Sequence, residues 1–124
     1  MIGSSRLVNV WAYPAPCDMR KQYDSLAALV VGAMGKDALS GEMYVFVGRD
    51  RRRAKVLYWD GTGLCVFSKR LEKGRFAAPW RHARDGVFRM TTSELSLLIE
   101  GSEFVGRLAL SPAAFEFTQP EATF

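Results

Sequence analysis

Histidine occurs once in this chain of 124 residues, at position 82, inside a polar basic stretch. A Ser-His-Asp or Cys-His catalytic arrangement would rest wholly on that residue, and no nucleophile-elbow motif accompanies it. Cysteine is almost as scarce. Cys17 and Cys65 are too few for a disulfide framework, and both lie in stretches that read as core or core edge, so free thiols are expected. Two thiols and one imidazole also fall short of the four ligands of a closed structural zinc site, and neither a structural metal nor a cofactor is expected. No run of about 18 apolar residues is present, and Met1 to Arg6 lacks the apolar core of a secretory signal. That pattern predicts no membrane association and a cytoplasmic protein, nucleoid-associated if it binds DNA. Internal repeats and low-complexity tracts are missing as well.

The carboxylates and glycines are accounted for by structural roles. Six Asp and seven Glu fall mostly at turns and caps, so a metal-binding carboxylate triad for phosphoryl transfer has no evident members. Gly61-Thr-Gly63 lacks the third glycine, the following helix and the Lys-Ser/Thr of a phosphate loop, and reads as a hairpin turn.

Positive charge, by contrast, is concentrated. The chain carries +4 overall, but Arg49 to Arg89 holds twelve Lys or Arg against four acids, a local +8, which leaves the remainder at −4. A contiguous basic third is the electrostatic footprint of a nucleic-acid contact, although cations also protect sheet edges. The candidate contact residues are Arg49, Arg51, Arg52, Arg53 and Lys55 at one turn, and Lys69, Arg70, Lys73 and Arg75 at the end of a later strand. Guanidinium forks match phosphate oxygens and guanine edges two bonds at a time, and a basic hairpin can enter a groove. Whether the two clusters share a surface depends on strand register. Tyr58, Trp59 and Phe67 lie near the cations in sequence and could stack on unpaired bases. Alternation sends Tyr58 and Trp59 to opposite faces, and Phe67 is assigned to the core.

Patterning predicts an α+β fold, with an antiparallel sheet of four or five strands packed with two helices. Leu7 to Tyr13 reads as a first strand, stopped by Pro14 and Pro16. Asp18 is placed as the cap of a helix presenting Met19, Tyr23, Leu26, Ala27, Val30, Ala33 and Met34 on one face and ending at Gly35. Glu42 to Val47, Ala54 to Trp59 and Leu64 to Leu71 form a meander, with a short edge strand through Phe76 and another over Val87 to Met90. Pro79 to Arg84 reads as an exposed loop. Thr91 or Thr92 starts a second helix, with Glu94 placed for a capping box from Thr91, and the helix stops at Gly101. Phe104 to Leu110 could add a strand. One domain over residues 1–110, with a frayed tail over 111–124, is the expected organisation.

Asp18-Met-Arg-Lys21, Asp24, Leu26-Ala27, Ser40-Gly41 before Val45-Phe46, Lys55-Val-Leu-Tyr-Trp-Asp-Gly-Thr-Gly-Leu64, Lys69-Arg-Leu-Glu-Lys-Gly-Arg-Phe76 and Leu95-Ser-Leu-Leu-Ile-Glu-Gly101 occur in this order. In these blocks the chain resembles the small accessory protein, encoded by the second open reading frame, of insertion-sequence family sixty-six transposable elements. The chain departs from that family by inserting Val47-Gly48 before Arg49 and in the stretch after Gly101. The resemblance implies a non-catalytic role in bacterial DNA transposition, alongside a separately encoded transposase that bears the catalytic acids. It implies the co-encoded transposase as a partner; the basic segment adds DNA, for which the element's terminal repeats are the candidate target. It assigns no reaction to Asp18, Arg20, Lys21, Asp24, Trp59 or Asp60. A pure protein-interaction subunit of the transposase complex, with no DNA contact, is the alternative.

Overall fold

The computed structural model describes residues 8–81 and 86–101. The expected strand at 104–110, the tail at 111–124 and His82 lie outside these residues. The elements run β1 (Val10–Ala12), α1 (Tyr23–Gly32), β2 (Met43–Val47), β3 (Arg53–Trp59), β4 (Leu64–Arg70), a 3-10 turn (Pro79–Arg81), β5 (Phe88–Met90) and α2 (Thr92–Glu100). One sheet holds all five strands in the order β4-β3-β2-β1-β5. The fold is α+β, as its patterning predicts, but the sheet is mixed and not purely antiparallel. β1 pairs parallel with β2, Val10 opposite Met43, while the other three pairings are antiparallel. The reason is the connection: α1 lies between β1 and β2, and a helical crossover is what returns a chain to a parallel neighbour.

Both faces of the sheet are covered. On one, Leu26, Val30 and Met34, spaced by four along and just past α1, pack over Tyr44, Phe46 and Leu57. On the other, Leu95 and Leu98 of α2 join Phe76 and Ala77 over Val10, Val45, Val47 and Val56. Alternation explains the division, since odd residues of β2 and even residues of β3 face α2. Phe76 forms no edge strand; it is fully buried. Pro79 is buried too, so the segment read as an exposed loop enters the core before Arg81 emerges. Phe67 departs from its core assignment in the other direction, being 45% exposed, because β4 is the sheet edge and its α2-side residues overhang the helix.

Local chemistry sets the helix ends. α2 carries the expected reciprocal box: Thr91 Oγ1 accepts from the Glu94 amide at 3.1 Å, and Glu94 Oε1 accepts from the Thr91 amide at 2.8 Å. Gly101 closes it at φ 75°. Asp18 does not cap α1. Gln22 does, with Ser25 Oγ accepting from the Gln22 amide at 2.9 Å. The chain stays beside β2 until Cys17, whose amide donates to the Val47 carbonyl at 3.0 Å, and Asp18 then starts a separate turn, its carbonyl accepting from the Lys21 amide at 3.1 Å, while Met19 packs on Gly48.

Candidate nucleic-acid interface

The β2–β3 turn is closed by the Gly48 amide donating to the Arg53 carbonyl at 2.9 Å, and it projects Arg49, Asp50, Arg51 and Arg52. The β3–β4 register sets Arg53 directly opposite Arg70. After β4 the chain folds back on the turn, the Leu71 amide donating to the Arg52 carbonyl at 2.8 Å and the Phe76 amide to the Arg51 carbonyl at 2.7 Å. The two basic clusters therefore meet at one end of the sheet.

The nine candidate cations are not equivalent there. Arg49, Arg52, Arg53, Arg70, Lys73 and Arg75 are exposed. Arg53 reaches Asp50 at 3.8 Å and Arg70 reaches Glu72 at 3.2 Å, solvent-exposed pairs worth little in energy. Among the described residues Arg49, Arg52, Lys73 and Arg75 form no ion pair. Three others spend their charge on main-chain carbonyls. Lys55, only 6% exposed, donates from Nζ to the Lys21 carbonyl at 2.7 Å. Lys69 Nζ donates to the Ile99 carbonyl at 2.9 Å, at the negative end of α2. Arg51 Nε donates to the Phe76 carbonyl at 2.8 Å. Burial, then the guanidiniums of Arg81 and Arg75, lower the Arg51 pKa from its ordinary value. That coupling points to a cation outside the nine candidates. Arg81, exposed after the buried Pro79, joins the cluster through a chain reversal that no local pattern announces.

The aromatic residues do not interleave with this surface. Trp59 closes β3 at the far end from Arg53, about 20 Å away at strand rise, and Tyr58 faces α2. Base stacking beside the arginines thus has no partner in β3.

The signature blocks have structural work. Asp18 accepts from the Arg20 amide at 2.9 Å and from Arg20 Nε and Nη2 at 3.0 and 2.9 Å, which hold its carboxyl well below the usual carboxylate range. Met19 packs so tightly on Gly48 that a Cβ there would lie 2.7 Å from its Cγ. The Asp-Met-Arg-Lys block thereby braces the arginine turn from beneath, beside a depression of about 540 Å³ bordered by Asp18, Arg49, Asp50 and Arg53. In the Trp-Asp-Gly-x-Gly block, Asp60 Oδ1 accepts from the Thr62 and Gly63 amides at 2.9 and 3.0 Å, forming the hairpin turn. Cys17 and Cys65 are free, and burial pushes the Cys17 thiol up to about 11. Among the described residues no three Cys, Asp or Glu side chains gather as a metal site, and no helix is long and apolar enough to cross a membrane.

These features define a small mixed α+β domain with one strongly basic end. Residues 8–107 match the family described as IS66 Orf2 like protein, and the chain belongs to that family. It is thus a transposition-associated accessory protein of insertion sequences, from a family not known as enzymes. Its relatives include the uncharacterized proteins y4hO and y4jC of Sinorhizobium fredii, each 36% identical over 104 residues. The match spans 84% of this chain in both cases, and 89% and 87% of theirs. No solved structure matches it.

Proposed function

We propose that the basic end of the sheet holds DNA phosphates while the protein assists a separately encoded transposase. The observation that carries this reading is the Arg53–Arg70 cross-strand pair, with Arg49, Arg52, Lys73, Arg75 and Arg81 around it. Like charges directly opposite one another destabilise a sheet, and the exposed Asp50 and Glu72 offset Arg53 and Arg70 only weakly, so a bound polyanion would make the grouping more favourable. The phosphate backbone is the polyanion that transposition supplies. Lys55, Lys69 and Arg51 serve this surface by holding its parts together.

The test is a salt series of binding to a duplex bearing the element's terminal repeats, beside an unrelated duplex. Changing Arg49, Arg52 and Arg53 together to Ala is expected to weaken binding and to flatten the slope of log K against log salt by about 0.9 per lost phosphate contact. An unaltered slope sinks the assignment. No retention of DNA at low salt, with the transposase still co-purifying, would mean that the basic end meets an acidic protein surface instead.

A further inference from the structure

The two edges of the sheet are unlike. β5 is three residues long, the short edge that sheets use to avoid pairing with strangers, whereas β4 runs for seven residues with an unbroken register and no proline. The Asp60 amide bonds the Gly63 carbonyl and the Leu71 amide bonds the Arg52 carbonyl, so the odd residues of β4 turn their backbone groups toward β3. By antiparallel alternation Leu64, Val66, Ser68 and Arg70 aim theirs outward, where no strand among the described residues meets them.

We propose that a second copy of this chain pairs antiparallel with β4, joining two five-stranded sheets into one of ten. The strand is complementary to itself in one register. Only an alignment centred on Phe67 overlaps all seven residues, and it matches outward-facing groups with outward-facing groups: Val66 with Ser68 of the second copy, Leu64 with its Arg70. Each cation then meets an uncharged residue, Arg70 meeting Leu64 and Lys69 meeting Cys65, so no like charges are set face to face. Beyond β4, the end carrying Lys73 and Arg75 comes against the turn carrying Asp60. Phe67 lies on the two-fold axis against its own counterpart. Its ring, 45% exposed in the single chain, closes over a groove of about 700 Å³ lined by Met43, Val56, Tyr58, Leu95 and Ile99. An isologous contact of this kind closes at the dimer and does not propagate. The proposal is independent of DNA contact.

Light scattering on the purified chain should return twice 13.9 kDa, and Ser68→Pro should return the single-chain mass. Proline at 68 removes only an outward N–H, so the circular dichroism spectrum and unfolding midpoint serve as checks on folding. A second arm does not depend on that variant. In a Cys65→Ser background, Phe67→Cys is expected to give a disulfide-linked dimer under mild oxidation, since Phe67 occupies a non-hydrogen-bonded pair with itself. Ser68→Cys, on the opposite face and out of register, should not. A single-chain mass at every concentration overturns the proposal. So does a dimer in which residue 67 fails to cross-link, because its contact would then lie elsewhere.

Discussion

Arg51 is the residue on which the basic end turns. Its φ of 61° is left-handed, a conformation that costs a residue with a side chain about 1 kcal/mol relative to glycine. The cost is offset by two bonds to one residue: Arg51 Nε to the Phe76 carbonyl, and the Phe76 amide to the Arg51 carbonyl. Phe76 is fully buried, so losing the guanidinium leaves its carbonyl short of a partner. Arg51→Ala keeps the strain and loses the bond, and is expected to destabilise by about 1–3 kcal/mol in urea unfolding. Arg51→Gly loses the same bond but sheds the strain, and should be about 1 kcal/mol more stable than Arg51→Ala. An Ala variant as stable as the parent would show that the clasp contributes nothing. The DNA test accordingly leaves Arg51 in place, so that a change in affinity is not a change in fold.

At the scale of the element, α2 is tied at its end to the strand it covers. Gly101 holds φ 75°, and a Cβ there would lie 2.6 Å from Leu71 Cδ1. Gly74 has nearly the same φ, 78°, but open space around it. Gly74→Ala therefore measures strain alone, about 1 kcal/mol. Gly101→Ala adds the overlap with Leu71 and should cost about 1–3 kcal/mol more in the same unfolding experiment. Equal losses would mean that Leu71 yields freely. This helix was legible in the sequence because its signals are local: Thr91, Glu94 and Gly101 sit within eleven residues of one another. The start of α1 was not, because Asp18 is a good cap in isolation and what holds the chain in a turn there is its docking on residues about thirty positions on, Cys17 on Val47 and Met19 on Gly48. The parallel β1–β2 pairing was hidden for the same reason. The site divides likewise. The arginine run was plain in the sequence, whereas the diversion of Arg51, Lys55 and Lys69 onto carbonyls 25, 34 and 30 residues away was not.

At the scale of the whole molecule, the direction of β4 links the two proposals. The arginine turn lies at the C-terminal end of β4, since Arg70 faces Arg53. In an antiparallel pair of β4 strands the two C-terminal ends point opposite ways, so a dimer carries its basic ends at opposite margins of a ten-stranded sheet. The two Arg70 positions are then about 20 Å apart along the strand axis and the turns beyond them face opposite directions, a layout that favours one duplex at each. With DNA at each basic end as proposed, such a dimer would hold two duplexes in one fixed relation, an arrangement suited to pairing the two ends of an element rather than to the side-by-side spacing that reads a palindrome on one duplex. The expected outcome is that the parent chain, bound to an immobilised duplex, captures a second labelled duplex. Ser68→Pro should bind one duplex with the parent's salt dependence and capture no second. If Ser68→Pro bridges as well as the parent, the two basic ends do not act through β4. If it binds no duplex at all while remaining folded, the edge strand itself is part of the DNA contact, and the division of labour between the arginine turn and β4 fails.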